Sequence, residues 1–239
     1  MRRIDLNVDI GEGFPNDEAL LEFATSANIC CGEHAGSWDL TMKTIELCSS
    51  REIRIGMHPG TPHRESMGRK PIELKELAGF EESLKLQAKR FMGAVEPKYI
   101  KPHGAWYNEL TATEPQDWDV YASCVGLLIG LVIGTGLPVM MLPASQTSRA
   151  ILHAGYEAGW KNPLILEGFA DRAYAPAGNL VPRSKPGAVL EDTEEIRAQV
   201  LRLAPVVDSI CLHGDTPDCV SLAELVKGTL LDSGYEVAA

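Results

Sequence analysis

The sequence lacks the patterns that identify the commonest metal and nucleotide sites. Its six cysteines form no CxxC pair and no zinc-ribbon spacing. No GxxxxGK[ST] loop, GxGxxG loop or HExxH helix occurs, so neither a P-loop, a Rossmann site nor a zincin-type metal site is indicated. Cysteines without such pairing are typical of reduced, mostly buried thiols in a cytosolic protein. We therefore expect a cytoplasmic location.

Basic residues are also scarce. Lys and Arg number 22 against 33 Asp and Glu, so the formal net charge is −11. Nucleic acid and anionic membrane surfaces reward a basic stripe, and this composition predicts neither as a partner. A local cluster of Lys and Arg remains compatible with a small anionic substrate.

An uninterrupted apolar leader is missing as well, because Asp5 and Asp9 follow the basic start of the chain. One uncharged stretch, Val120 to Leu142, is long enough to span a bilayer. Gly136 and Pro138 interrupt it, which predicts a buried helix, a turn and a buried strand instead of a membrane span.

Length and composition are those of a soluble globular protein. The chain has 239 residues, of which 45% are apolar and 23% charged. A chain of this size buries roughly 70–75% of its unfolded surface, enough for a full core without staples. Because α/β barrels of roughly 200–250 residues occur as single units, we expect one domain over 1–239.

Strand and helix patterns alternate along the chain, which predicts a parallel sheet with right-handed crossovers. A closed barrel and an open doubly wound sheet both fit seven such strands. The predicted strands are Ile4–Ile10, Ala27–Cys31, Ile53–Met57, Tyr99–Lys101, Val139–Leu142, Leu164–Glu167 and Ser209–Leu212. The predicted helices are Asp17–Phe23, Asp39–Ser49, Ile72–Val95, Trp118–Ile133, Ser145–Ala154, Thr193–Leu203 and Val220–Leu231.

Polar residues follow the predicted strands where each strand ends. Five of the six histidines lie just past a strand, four of them beside Gly or Pro. The carboxyl ends of parallel strands form one face, so these side chains are expected to converge there. Carboxylates and histidines suit acid–base catalysis or a divalent metal, and nearby cations suit an anionic group. The residues alone indicate a hydrolase or phosphoryl-transfer enzyme acting on a small anion.

Seven motifs, in order, resemble the LamB/YcsF family over nearly the whole chain. They are DLNVDIGEGF (5–14), ANICCGEHAGS (27–37), GMHPGTPHRESMGR (56–69), KPHGAWYN (101–108), FADRAY (169–174), LVPRSKPGAV (180–189) and CLHGDTP (211–217). The resemblance implies a seven-stranded parallel β/α barrel, similar to glycoside hydrolase/deacetylase barrels. It also implies ATP-dependent opening of 5-oxo-L-proline to L-glutamate, together with 5-oxoprolinase subunits B and C. Ser37 and His63 stand where the family usually carries acidic residues.

The same resemblance gives a set of expected site residues. The expected catalytic residues are Asp9, His58, Lys101 and His103. The expected substrate-binding residues are Glu12, His34, Asp171, Arg172, Arg183, His213 and Asp215. The candidates for a metal, whose presence the sequence leaves open, are Asp9, His34, His58 and His103.

Ring opening of a lactam through a phosphorylated amide oxygen needs positive charge near the phosphoryl group and a base for water. Lys101 and Arg183 are the candidates for that charge, Asp9 or His58 for the base, and Arg172 for a clamp on the substrate carboxylate. ATP is expected as co-substrate, with Mg²⁺ bound largely through its phosphates. Two alternatives stay open: a metal-dependent, deacetylase-like hydrolase, and a substrate-binding subunit that is non-catalytic without its partners. A homo-oligomer is compatible with the sequence.

Overall fold

Strands and helices alternate through the computed structural model, which describes residues 2–143, 145–183, 185–216 and 218–239. The strands are β1 (Arg2–Ile10), β2 (Ser26–Cys30), β3 (Arg54–His58), β4 (Tyr99–Ile100), β5 (Val139–Met141), β6 (Leu164–Phe169), β7 (Ser209–His213) and β8 (Tyr235–Val237). The helices are α1 (Asp17–Leu20), α2 (Trp38–Ser50), α3 (Leu77–Ala94), α4 (Gly104–Leu110), α5 (Trp118–Thr135), α6 (Gln146–Glu157), α7 (Thr193–Leu203) and α8 (Cys219–Asp232).

The first seven strands close into a barrel. Each strand from β1 to β7 pairs in parallel with the next, and β7 returns to pair with β1. Asp9 marks the closure, since it lies in register with Asn28 on β2 and with His213 on β7. β8 adds in parallel to the start of β1. The expected seven-stranded parallel β/α barrel is confirmed, and the open doubly wound sheet is wrong.

Alternate residues of each barrel strand face opposite sides, so one strand supplies two different surfaces. On β1, Leu6 and Val8 belong to the apolar layer that packs against the helices. Asn7 lies on the other face, where its Nδ2 donates to Ser209 Oγ at 2.7 Å. The barrel interior therefore holds polar side chains, and the apolar core surrounds it.

The polar interior is closely packed across strands that are not neighbours. The Tyr99 hydroxyl of β4 donates to Asn28 Oδ1 of β2 at 2.6 Å, while Asn28 Nδ2 donates to Asn7 Oδ1 at 2.6 Å. Gly56 on β3 makes room for this tyrosine, because a Cβ there would lie 2.2 Å from its ring. Paired amide and hydroxyl groups of this kind satisfy the hydrogen-bonding needs of a buried interior.

The uncharged stretch forms the predicted helix, turn and strand. Helix α5 ends at Gly136, which adopts φ +71° as a left-handed cap, and β5 follows within the barrel. Val120, Cys124, Leu128 and Val132 form a buried stripe at helical spacing. α5 is long and apolar enough to cross a membrane by length and composition, with 28% of its window buried. The prediction of a buried helix is therefore confirmed for one face of α5 only.

Most element boundaries differ from the predictions by a few residues, and three differences are larger. Helix α4 and strand β8 were not predicted, because each is too short to show a period. Helix α3 begins at Leu77, after a 3₁₀ turn at Leu74–Glu76, five residues beyond the predicted start. Glu73 and Glu76 form a capping box on that turn, which sets its beginning. All six cysteines are buried and free, as expected.

Candidate active site

A cleft of about 450 Å³ opens at the carboxyl ends of the barrel strands. Its floor is formed by residues at the ends of β1, β3, β4, β6 and β7, and its rim by loops. The cleft is therefore where the strand-end pattern predicts a site. The polar and aromatic lining residues include Asp9, His58, Lys101, His103, Phe169 and His213 on the floor and Arg69, Arg172 and Arg183 on the rim.

Lys101 borders the cleft, but its ammonium group is already paired. Its Nζ lies 2.8 Å from Asp9 Oδ1 and 2.8 Å from Glu167 Oε1, and the residue is only 2% exposed. Burial would lower the pKa of Lys101, but Asp9, Cys211 and Glu167 raise it well above the ordinary value. The expectation of a free charge for a phosphoryl group must therefore be corrected: Lys101 is a buried counter-ion inside the barrel.

Asp9 is held as a carboxylate. Its Oδ1 accepts hydrogen bonds from Asn28 Nδ2 at 2.7 Å and from Lys101 Nζ at 2.8 Å. Its Oδ2 lies 3.5 Å from His58 Nε2. Burial would raise the pKa of Asp9, but Lys101 and His58 together hold it well below its usual range. An ionised carboxylate beside an imidazole is suited to act as a base or as a ligand.

His58 and His103 meet on the cleft floor. His58 Nδ1 lies 2.7 Å from the Lys101 carbonyl oxygen, and His103 Nε2 lies 2.8 Å from the Met67 carbonyl oxygen. The remaining nitrogens, His58 Nε2 and His103 Nδ1, are 2.9 Å apart. Burial lowers the pKa of His103 well below its ordinary value, with His34 adding to the effect.

Glu12 and His34 lie behind these histidines. His34 Nε2 is 3.3 Å from Glu12 Oε1, and its ring stacks on that of His103 with centroids 3.8 Å apart. His34 has no exposed surface, and burial lowers its pKa well below the usual value. Gly60 allows this packing, because a Cβ there would lie 2.6 Å from His34 Nδ1.

His213 on the opposite side of the floor pairs with Asp171. Its Nδ1 lies 3.0 Å from Asp171 Oδ1, and Thr216 Oγ1 donates to Asp171 Oδ2 at 2.9 Å. Burial would raise the pKa of Asp171, but His213 and Thr216 lower it to about 2. The carboxylate fixes the imidazole orientation and leaves its other nitrogen directed away from this pair.

Three arginines form a cationic rim. Arg69 and Arg183 both donate to Asp215 Oδ2, at 2.6 and 3.3 Å. Arg172 is anchored to the Ala188 and Val181 carbonyl oxygens. Burial and the charge of Arg183 lower the pKa of Arg172 to about 10. An anion bound at this rim would offset the excess positive charge.

The expected site residues divide into two groups. Asp9, His58, Lys101, His103, Arg172, Arg183 and His213 line the cleft. Glu12, His34, Asp171 and Asp215 do not line it, and each instead contacts a residue that does. The expectation of direct substrate contact is therefore not supported for these four residues.

Some residues of the site were not predicted from the sequence. Glu167 pairs with Lys101 and accepts a hydrogen bond from the Tyr107 hydroxyl at 3.0 Å. The sequence signal for Glu167 was its charge within the otherwise apolar strand LILEGF. Arg69 gave no signal, because it lies in a long loop after β3 and reaches the rim only in the fold.

The two departures from the family pattern lie outside the cleft lining. Ser37 caps helix α2, where its Oγ accepts the Leu40 N–H at 3.1 Å. Asp would cap that helix equally well, so serine preserves the local structure. His63 Nε2 lies 3.4 Å from Glu76 Oε1.

These features define a β/α-barrel protein whose arginine-rimmed cleft lies above a buried histidine–carboxylate floor. The model of the LamB/YcsF family matches residues 4–239. The A subunit of 5-oxoprolinase from Neisseria meningitidis serogroup C is 37% identical over 258 residues, covering all of both chains. The protein of the same name from Rhodopseudomonas palustris is 38% identical over 261 residues, covering 99% of this chain and 98% of the relative.

A solved structure agrees with the sequence comparison. The crystal structure of the lactam utilization protein from Thermus thermophilus is 27% identical, with a TM-score of 0.77 and complete coverage of both chains. The chain belongs to the LamB/YcsF family.

Proposed function

We propose that this chain is the A subunit of a 5-oxoprolinase and carries the site at which the lactam ring is opened. The relatives named as A subunits of 5-oxoprolinase support the assignment to a multi-subunit hydrolase. The observation that carries the proposal is one cleft with a cationic rim over a floor of histidines and a carboxylate. The substrate 5-oxo-L-proline has one carboxylate and one cyclic amide, which match these two regions.

The rim would bind the substrate carboxylate. Arg183 and Arg172 line the cleft, and Arg172 is anchored through two backbone carbonyls, so its guanidinium is held in place before the substrate arrives. Arginine is suited to this task because its planar donors match a carboxylate. A carboxylate bound there would direct the lactam ring toward Asp9 and His58.

The floor would supply the proton transfers of ring opening. Water adds to the lactam carbonyl carbon, the C–N bond breaks, and the ring nitrogen takes a proton to become the amine of L-glutamate. Asp9 is the ionised group nearest His58 on the floor, and the pair can accept the proton of water. Lys101 keeps Asp9 ionised and positioned, instead of contacting the reacting atoms.

We propose ATP, with Mg²⁺, as co-substrate of the enzyme assembled with subunits B and C, and cytoplasm as its location. Transfer of the terminal phosphoryl group of ATP to the amide oxygen would release ADP and activate an otherwise unreactive lactam. Water addition and cleavage of the C–N bond would then leave an acyl phosphate, from which a second water would release inorganic phosphate and L-glutamate. No nucleotide site is assigned to this chain, since both cations expected to face a phosphoryl group are paired: Lys101 with Asp9 and Glu167 inside the barrel, and Arg183 with Asp215 at the rim.

The test measures glutamate formation from 5-oxo-L-proline and ATP by the complex of this chain with its partner subunits. Asp9→Asn should lower kcat at least about 100-fold, because the ionised base is lost. Arg183→Gln should raise KM about tenfold or more and change kcat less, because it removes a substrate-binding charge. Arg149→Gln, an exposed arginine on α6, is the matched control and should change neither constant.

Full turnover by the Asp9→Asn complex would refute the assignment of the reaction to this floor. Absence of turnover by the chain alone, with 5-oxo-L-proline still bound to it, would support the alternative of a substrate-binding subunit that is non-catalytic without its partners. Turnover of the chain alone on an N-acetylated substrate, without ATP, would support the deacetylase-like alternative.

A further inference from the structure

Two histidine nitrogens face each other on the cleft floor, and if both rings are neutral there is no hydrogen between these nitrogens. Backbone carbonyl oxygens only accept hydrogen bonds, so His58 Nδ1 and His103 Nε2 each carry the hydrogen that they donate. In neutral rings the other two nitrogens are lone pairs, and these lie 2.9 Å apart. Two facing lone pairs repel each other unless a positive charge lies beside them.

Two carboxylate oxygens complete a compact group around these nitrogens. Glu12 Oε1 lies 3.4 Å from His103 Nδ1, and Asp9 Oδ2 lies 3.5 Å from His58 Nε2. Ligands at 2.0–2.1 Å from a tetrahedral ion are separated from each other by about 3.3–3.4 Å. The separation of Glu12 Oε1 from His103 Nδ1 matches that value, while the two nitrogens at 2.9 Å and the pair Glu12 Oε1 and His58 Nε2 at 3.9 Å lie on either side of it. Imidazole and carboxylate together are ligands of Zn²⁺ and related divalent ions.

His34 belongs to the same cluster but not to the ligand set. Its ring is within 5° of parallel to that of His103, with centroids 3.8 Å apart. The lone pair of an imidazole nitrogen lies in the ring plane, so two stacked rings cannot both direct one at the same ion. His34 Nε2 instead lies 3.3 Å from Glu12 Oε1, the position of a group that orients a ligating carboxylate.

The charge inside the barrel agrees with a divalent ion. The buried carboxylates Asp5, Asp9, Glu12, Glu167 and Asp171 outnumber the buried cations Lys101 and Arg172, which leaves a formal charge of minus three among these side chains. A buried excess of this size requires compensation. A second group, Asp9, Cys211 and His213, is less suited to a metal, because Lys101 Nζ already lies 3.0 Å from Cys211 Sγ.

We propose that Glu12, His58 and His103 bind one divalent transition-metal ion of the Zn²⁺ class, with His34 positioning Glu12 and a fourth position open toward Asp9 and the cleft. The site adjoins the cleft, since His58 and His103 line it. A metal there would polarise a carbonyl oxygen or lower the pKa of a bound water. The inference concerns metal binding alone and does not depend on which substrate the cleft accepts.

The test titrates the chelator-stripped full chain with Zn²⁺ by calorimetry and with Co²⁺ by absorption spectroscopy. The unmodified chain should bind one equivalent of Zn²⁺, and Co²⁺ should give the intense visible bands of four- or five-coordination. His103→Ala and Glu12→Gln should weaken Zn²⁺ binding at least 100-fold. His34→Ala should weaken it roughly 10–100-fold, as loss of an orienting partner does. His153→Ala, an exposed histidine on α6, is the control and should bind as the unmodified chain does.

Circular dichroism establishes whether each variant is folded. If His103→Ala does not fold, the comparison of Glu12→Gln with the unmodified chain tests the proposal. Zn²⁺ should raise the melting temperature of the unmodified chain and of His153→Ala, but not of Glu12→Gln. Failure of the unmodified chain to bind Zn²⁺ or Co²⁺ at about 1 mM would overturn the proposal and leave a shared proton between the two histidines. Equal Zn²⁺ affinity in the unmodified chain, His103→Ala and Glu12→Gln would overturn the assigned ligand set.

Discussion

Replacing Lys101 with methionine should destabilise the barrel, because it removes the one ammonium group that separates two buried carboxylates. Lys101 Nζ lies 2.8 Å from both Asp9 Oδ1 and Glu167 Oε1, and all three residues are buried. Loss of one partner from a buried ion pair costs about 3–5 kcal/mol, since the remaining charge stays buried without compensation. We therefore expect Lys101→Met to lower the free energy of unfolding by about that amount.

A double-mutant cycle in urea tests the cause of this loss. Glu167→Gln keeps an acceptor for the Tyr107 hydroxyl and removes one uncompensated charge, so Lys101→Met with Glu167→Gln should regain at least about 1 kcal/mol. Lys98→Met is the matched control, because Lys98 forms an exposed pair with Glu96 and should cost less than about 1 kcal/mol. If Lys101→Met lowers the free energy of unfolding as little as the control does, or if it shows no coupling with Glu167→Gln, the role of Lys101 as a buried counter-ion is refuted.

Variants at three further positions test the surroundings of the site. Burial raises the pKa of Asp17 from 3.8 to about 6. The stability that this carboxyl group contributes in its protonated form is therefore present below pH 3.8 and is lost as the pH rises to about 6. The melting temperature of the chain should therefore fall relative to that of Asp17→Asn across this window, and a constant difference would contradict it. Ser37→Ala should lower the free energy of unfolding in urea by about 1 kcal/mol, because the Ser37 side chain caps α2. Ser37→Asp should change it very little, since Asp can cap the helix as well. Equal losses in the two variants would exclude the cap. Gly60→Ala should cost about 1–3 kcal/mol by the same measurement, since its Cβ would lie 2.6 Å from His34 Nδ1, and unchanged stability would show that the histidines shift freely.

The strand ends were predictable from the sequence because their signal is local. A histidine beside Gly or Pro after an apolar run, as at His58 and His103, indicates a loop at the active face without knowledge of any partner. The parallel alternation also indicated which face of the sheet these residues share. Closure of the barrel was not local information, and it came from the family resemblance alone.

The partners of each side chain could not be predicted, because they depend on which strands the barrel brings together. Lys101 on one side of the interior meets Glu167 from a strand much later in the chain. The same closure leaves His34 behind the cleft wall, although it too follows a predicted strand, as His58 does. Residue type and strand position therefore predicted membership of the site, while burial and pairing decided each role.

The division of the strands into two faces separates the requirements of folding from those of chemistry. The outward residues, such as Leu6 and Val8, form the continuous apolar layer with the helices, and this layer supplies the hydrophobic stabilisation. The inward charges, Asp9, Lys101 and Glu167, contribute little by comparison, because well-packed apolar residues in place of a buried ion pair are often neutral or stabilising. The presence of these charges in the barrel interior is thus explained by what they hold in place, the carboxylate and histidines of the cleft floor.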